Sequence, residues 1–535
     1  MEEDITTNKR PNKMDEAIRM PEQDVDHTLE HLLGDIIHEA ELLKLKNHEL
    51  RQLLRQTEAL SLLRAELSVA SCFNNRNRRQ NEWPPDKEFV TRNSLLTDLF
   101  EVKHIKTIYY IFVITLIVLF LNTVVYDFID RGVINFGFRP IVFVFRKFHL
   151  SLALWACMQL VVLCVYPAFK LWSKVRNIFA DNHIRKVCDL SALIGLIVFQ
   201  CSFIYLVIEA VLQLDIAPVS SLAALLEMTR FVMKVHSFVR TNVPRVLDST
   251  ENVTQTNKHT QTVSSFTKYL YFLFAPTLIY RDEYPRTQRI RWTIVLRHAL
   301  EVIGVICYMS FIFERFLTPL FDRFGDTEIS SAKFVLILFE SVMPATLIFL
   351  CGFFLLLHSW LNGSSELLRF ADRMFYGNWW NASSFVEFFR LWNVAVSDWL
   401  YAFLYKESIQ LLFKNHRLLA TILVFTVSAI FHEVIMAFSY RFFYPVMFVG
   451  YEFVGLSLLF LTRNINKTAG SILLWFLLSI GNGIQMSLYH MEYYARKNCP
   501  LSSNDSLLVD YFIPVSWSCN GITNNSNWTF RGVEY

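Results

Sequence analysis

Thr421–Phe438 reads TILVFTVSAIFHEVIMAF, and this stretch decides the fold class. It is strongly apolar and long enough to cross most of a hydrocarbon core as one helix. His432 sits near its middle. An ionisable ring there costs free energy unless it has a partner or a task, so two readings follow. Either a neutral imidazole is hydrogen-bonded inside a helix bundle, or His432 marks a functional site.

Outward from this run, the rest of the chain is built the same way. Of 535 residues, 53% are hydrophobic and 15% aromatic, and mean hydropathy is +0.31, which excludes an ordinary soluble protein. Candidate spans of about 20 residues begin near Ile108, Leu150, Leu190, Ala217, His298, Phe334, Arg417, Phe442 and Ala469. The segment from Ala217 carries Glu227, Arg230 and Lys234, and also reads as an interfacial amphipathic helix. The composition predicts an all-α polytopic membrane protein. A net charge of +3 is too small to argue for nucleic acid, and the sequence holds no nucleotide-binding glycine loop, metal-ligand cluster or internal repeat.

Short cytoplasmic loops collect Lys and Arg. Lys170–Lys186 and Arg240–Arg297 are rich in both, which places these loops on the cytoplasmic side. The clear span from Leu190 lies between them, so the Ala217 segment must cross back, and nine crossings follow. The start MEEDITTNKR is polar and has no apolar region of a cleaved signal. That puts the N-terminus in the cytoplasm and the tail from about Tyr493 on the opposite side.

Leu29–Leu67 lacks proline, has a single glycine and repeats apolar residues at helical spacing. Leu29, Ile36, Leu43 and Leu50 form one heptad row; Leu33, Ala40, Asn47 and Leu54 form its companion. The pattern fits a coiled-coil seam, and equally an amphipathic helix laid on the chain's own cytoplasmic face. The chain thus divides into a disordered start (1–27), a cytoplasmic helix (28–70), a polar, proline-broken linker (71–93), a membrane domain (94–492) and a tail (493–535).

Upstream of His432 lie Phe375, Tyr376, Asn378, Trp379, Trp380 and Asn381 in FYGNWWN, then Trp392, Asn393, Ser397, Asp398 and Trp399 in LWNVAVSDWL. With Arg230–Leu247, Tyr269–Arg286, Ser428–Phe448 and Gly481–Pro500, this arrangement resembles the membrane-bound O-acyltransferase family, and within it the sterol O-acyltransferase branch. The diacylglycerol acyltransferase branch shares FYxDWWN and the histidine. Tyr280–Asp282 (YRD) and Phe442–Val446 (FFYPV) favour the sterol branch. The resemblance implies an endoplasmic reticulum membrane protein with a lumenal tail, an N-terminal oligomerisation helix, and assembly as a dimer or tetramer. It implies acyl-CoA as co-substrate, a sterol as acceptor, and no metal or other cofactor. In that lumen Cys499 and Cys519 are the plausible disulfide pair, while Cys72, Cys157, Cys164, Cys188, Cys201, Cys307 and Cys351 read as thiols.

Esterifying an alcohol with an acyl thioester needs a base, stabilisation of the oxyanion, and exclusion of water. His432 fits the base. Ser428, one turn earlier, either orients the ring, touches the thioester or bonds a helix carbonyl. Asn393 fits the oxyanion donor; helix capping beside Trp392 is the alternative. The branch places a second histidine four residues after this Asn, where the chain has Ser397, and an aspartate where it has Asn378. The aromatic cluster also reads as an interfacial belt, although the flanking helix expected over Glu366–Met374 matches the family. Arg390, Arg417 and Tyr405, with Trp392 and Ser428, are candidates for binding acyl-CoA, and each arginine also fits a snorkelling residue. Two rival functions stay open. One is acylation of diacylglycerol or a long-chain alcohol; the other is proton-coupled transport through the histidine.

Overall fold

The computed structural model describes residues 87–132, 136–179, 181–251, 264–325, 331–414, 416–463, 465–499 and 511–517. Every regular element among them is helical, and pairing outside helices is limited to the isolated bridges Arg92 with Asp372 and Arg286 with Phe370. The N-terminal helix and Cys72 lie outside the described residues. Asn93–Leu121 belongs to one compact unit, which holds the Leu95–Leu99 helix and most of the Lys103–Arg131 helix. Phe89–Arg92 and the chain from Asn122 form a second unit, and the site lies there.

Among the described residues, seven helices are long and apolar enough to cross a membrane: Lys103–Asp130, Phe148–Ile178, Asn182–Gln213, Trp292–Phe321, Ser331–Leu367, Arg417–Tyr440 and Lys467–Asn498. Two expected spans fall outside this set for different reasons. Val446–Leu461 is apolar but shorter, and Pro218–Glu251 is long but amphipathic. The polar residues of the latter face protein. Glu227 accepts from Trp155 Nε1 at 2.9 Å and pairs with Arg230 at 2.6 Å. Lys234, 1% exposed, donates to the carbonyls of Phe272, Leu273 and Ala275 at 2.5, 3.0 and 2.7 Å. Those carbonyls end the Phe266–Phe274 helix, where unpaired acceptors and the negative end of the dipole favour a cationic donor. The Pro218–Glu251 helix buries Leu225, Met228, Phe231 and Phe238 in one cluster with Phe169, Phe203, Tyr269 and Phe272. Its charges therefore bind neighbouring helices rather than headgroups.

Contacts gather at two ends of this unit. At one, Asp215 binds Lys147 at 3.2 Å and Arg441 at 2.6 Å, Phe443 N–H donates to Tyr511 at 2.9 Å, and Asn498 donates to the Asp322 carbonyl at 2.9 Å. At the other, Arg240 pairs with Glu407 at 2.8 Å and Phe385 N–H donates to Thr462 Oγ1 at 3.2 Å. The Pro218–Glu251 helix begins beside Asp215 and reaches Glu407 through Arg240, so it runs from the first end to the second. Val446–Leu461 does likewise, from Pro445 to Thr462.

Four helices among the described residues widen into π-helical turns, at Phe313–Leu317, Phe354–Trp360, Leu400–Tyr405 and Val449–Gly455. The helix expected over Glu366–Met374 is not formed. A helix covers Leu361–Leu367 instead, and Arg369 turns the chain with φ 57°. Beyond it, tertiary ion pairs set the backbone. Glu366, fully buried, accepts from Arg291 Nη2 at 2.8 Å and Arg373 Nη2 at 2.5 Å. Asp372 pairs with Arg92 Nε at 2.6 Å, and Arg92 N–H donates to Ala371 at 3.0 Å. Buried carboxylates are tolerated when charge-assisted donors meet them, and here those donors fix the approach to FYGNWWN.

Candidate active site

His432 lies on the Arg417–Tyr440 helix. Its Nδ1 is 2.7 Å from the Ser428 carbonyl and 3.4 Å from Ser428 Oγ. A carbonyl only accepts, so Nδ1 carries the proton and Nε2 keeps the lone pair that a base needs. The ring stacks on Tyr451, with centroids 4.4 Å apart and planes at 23°. The bond to residue i−4 is a helical habit, since His490 makes the same one to Met486 at 2.7 Å. It sets the tautomer, and the neighbours set the role.

Asn393 joins the Phe385–Trp392 and Val394–Trp399 helices, with φ −135° and ψ 90°. Its Oδ1 accepts from Val396 N–H at 3.2 Å. Capping thus engages the amide oxygen, and the NH2 is the donor end of the same amide. Phe389 on the first of these helices meets Phe425 at 5.2 Å and Tyr451 at 6.1 Å, which ties Asn393's segment to that of His432. Ser397, half-buried, sits one turn on, its N–H donating to the Asn393 carbonyl at 2.9 Å. Tyr405 stacks on Tyr401 at 5.8 Å at the end of the π-helical turns.

The aromatic motif packs inside the protein. Tyr376 and Trp379 are 0% and 1% exposed, and Phe375 is also buried, so these three do not form an interfacial belt. Gly377 N–H donates to Leu391 and Val394 N–H to Phe375, both at 2.8 Å, and Trp475 Nε1 donates to the Trp380 carbonyl at 3.0 Å. A Cβ at Gly377 would lie 2.5 Å from Leu391 Cδ2, so any larger residue would require the buried Leu391 side chain to move. Trp392 stacks on Phe349 at 4.6 Å and meets Trp379 edge-on at 4.8 Å, which makes it a packing residue of the wall. Asn378 leads into the single turn Trp379–Asn381, whose Asn381 is exposed. Arg390 occupies the last turn of its helix and is half-buried; Arg417 opens the His432 helix and is exposed.

A second buried histidine escaped the sequence reading, although it carries the same signal as His432. His358 is 2% exposed within an apolar span, and its Nδ1 lies 2.6 Å from the Tyr376 hydroxyl. Asn362 donates to the His358 carbonyl at 2.8 Å. Beside it His298 Nδ1 and Ser359 Oγ each reach Glu301 at 2.8 Å. The three groups His298, Glu301 and His358 stand close enough to share a cation, with ligand atoms within 4.8 Å. Hydrogen bonds engage the carboxylate and both Nδ1 atoms, and the cluster couples Tyr376 to two helices.

Residues 141–491 match the profile described as MBOAT, membrane-bound O-acyltransferase family. The chain is 39% identical over 451 residues to Sterol O-acyltransferase 1 of Cricetulus griseus, covering 83% of this chain and 81% of that protein. It is 38% identical over 437 residues to Sterol O-acyltransferase 2 of Homo sapiens, with 81% and 80% covered. For Sterol O-acyltransferase 2 of Rattus norvegicus the identity is 38% over 460 residues, with 84% and 85% covered. The matched region holds FYGNWWN, Asn393 and His432 together, and the chain belongs to the membrane-bound O-acyltransferase family.

Proposed function

We propose that this protein is an acyl-CoA-dependent sterol O-acyltransferase, moving a long-chain acyl group from acyl-CoA to the 3-hydroxyl of a sterol. The likeness to sterol O-acyltransferases over some four-fifths of both chains carries this reading, and the geometry at His432 supports it. Nε2 takes the sterol proton as the alkoxide oxygen attacks the thioester carbonyl. The Asn393 NH2 donates to the oxyanion. Collapse breaks the C–S bond, and the imidazolium returns its proton to the departing CoA sulfur, giving CoA-SH and neutral His432. Acyl-CoA is a co-substrate; its phosphates meet Arg390 and Arg417, with Tyr405, Trp392 and Ser428 along the way to the thioester.

The proposed setting is the endoplasmic reticulum membrane, crossed nine times with the N-terminus cytoplasmic and the tail lumenal. The two ends at which contacts gather support this topology. Cys499 is buried and its proposed disulfide partner Cys519 lies outside the described residues; Cys157, Cys164, Cys188, Cys201, Cys307 and Cys351 are free thiols. Assembly through residues 28–70, as dimer or tetramer, is supported by the heptad rows together with the family resemblance.

Membranes expressing the chain, given labelled oleoyl-CoA with cholesterol or diacylglycerol, test the reading. Label is expected in sterol ester, in proportion to added sterol. Label entering triacylglycerol with no sterol ester would assign the diacylglycerol acceptor instead.

A further inference from the structure

We propose that Glu433 is a positioning residue for His432, because it caps the following helix and so holds Tyr451 against the imidazole face. The inference rests on the reading of His432 as the base. Glu433 is 4% exposed, and its Oε2 accepts from Phe448 N–H at 3.0 Å. Phe448 lies in the first turn of Val446–Leu461, where backbone amides have no acceptor in their own helix.

Such amides are usually met by a short polar side chain at the N-cap. Here the N-cap is Pro445, which has no side-chain acceptor, and the connection from the preceding helix is only Arg441–Pro445. The acceptor comes instead from the residue peptide-bonded to His432. A carboxylate at this position satisfies an amide and complements the positive end of the helix dipole.

Tyr451 follows Phe448 by three residues, less than one turn into the π-helical stretch Val449–Gly455, so holding the Phe448 amide fixes the start of the turn that carries Tyr451. A second tie, Thr426 Oγ1 to Glu452 Oε1 at 3.0 Å, holds the helix on the far side of Tyr451. The Nδ1 bond to Ser428 fixes one direction of the imidazole, and the Tyr451 ring fixes its plane. Together they aim Nε2. Glu433 thus makes the position of the stacking ring a property of the backbone that carries the base.

A double-mutant cycle on the full-length protein in membranes, normalised to inserted protein, tests this. Glu433→Leu and Tyr451→Leu should each lower kcat on the order of 10- to 100-fold, the effect of a small misplacement, with KM for both substrates within about twofold. Because both act through one contact, the double variant should fall no further than the worse single one. Glu433→Gln still offers an oxygen to Phe448 N–H and should stay within about threefold of wild-type kcat. Multiplying effects, wild-type turnover in Glu433→Leu, or a glutamine variant as slow as the leucine one would overturn the proposal. Should Glu433→Leu fail to insert, Glu433→Gln compared with Tyr451→Leu decides: both slow overturns it, only the tyrosine variant slow upholds it. Normal turnover by His432→Ala would instead remove the base assignment, an outcome separate from the additivity of the cycle.

Discussion

A histidine bonded through Nδ1 to its own helix has one nitrogen left to offer, and at His432 that nitrogen is Nε2. His432→Ala should abolish acyl transfer while the protein still inserts, since the helix becomes more apolar. His432→Gln should fail as well, because an amide bonds to the hydroxyl but takes no proton. General-base assistance contributes a factor of 10² to 10⁴, on the order of 3 to 5 kcal/mol, which sets the expected loss in kcat. Asn393 has two tasks that substitution separates. Asn393→Asp keeps an oxygen for Val396 N–H but loses the NH2, so stability should hold while kcat drops about 10² to 10³-fold. Asn393→Ala should lose both, with the cap worth about 1 kcal/mol. Ser397→Ala should keep most activity and Ser397→His should be tolerated; a Ser397→Ala enzyme as slow as Asn393→Asp would show the hydroxyl in the chemistry. His432 and Asn393 stood out as candidates in the sequence because each is a polar group in an apolar or aromatic context. His358 carried the same signal, but Glu433 did not, since what defines it is a partner elsewhere in the chain, the Phe448 N–H.

Among elements, apolar helices were readable from runs of residues, and the segments between them were not. Glu366 meets Arg291 across 75 residues and Asp372 meets Arg92 across 280, distances that no local pattern spans. These pairs end the helix at Leu367 and overrule the helical expectation through Met374. A comparable tie holds the YRD segment, where Arg245 donates to Asp282 at 2.6 Å and Tyr280 to the same carboxylate at 3.1 Å. Burial works against ionisation of Asp282, but the Ser264 hydroxyl, the Arg245 charge and the Tyr280 hydroxyl outweigh it and hold the carboxyl below its ordinary value. A depressed folded pKa adds stability above the unfolded value, near 3.9. That stability is lost as pH falls through the folded value. Thermal stability in detergent should therefore decline more on acidification in wild type than in Asp282→Asn, whose loss is already present at neutral pH. Equal pH slopes would show that Arg245 and Asp282 do not couple. Helix contacts make their own demands on side-chain size. A Cβ at Gly470 would sit 2.1 Å from the Ser383 carbonyl oxygen, and backbone cannot yield as a side chain can. Gly470→Ala should lower stability by about 1 to 3 kcal/mol. Gly481→Ala on the same helix, with nothing within 4 Å, is the control and should leave the melting temperature unchanged.

For the whole molecule, seven helices among the described residues have the length and hydropathy of a span, and the two further crossings proposed rest on contacts at both ends of the second unit. The Pro218–Glu251 helix was ambiguous in sequence because a membrane surface and a protein interior both accept charges on one face. Only the partners of Glu227 and Lys234 distinguish them. Glycan mapping tests the resulting sidedness, provided that each acceptor is accessible. Asn362 heads a sequon but is 1% exposed and bonded to the His358 carbonyl, so its silence would say nothing about sidedness. Asn381 and Asn466 head sequons and are exposed. They lie at one end, where Trp475 bonds the Trp380 carbonyl and Gly470 abuts Ser383. That end is cytoplasmic in the nine-crossing topology, so neither should carry glycan. Asn504, Asn524 and Asn527 head sequons in the tail, outside the described residues, and should supply whatever glycosidase-sensitive mass shift exists. Replacing all three tail residues with Gln should abolish the shift, while Asn381→Gln and Asn466→Gln should leave it intact. A shift that survives loss of the tail sites and disappears with Asn466→Gln would turn the last two helices over, placing the Thr462 end in the lumen and the His432 site with its mouth away from acyl-CoA.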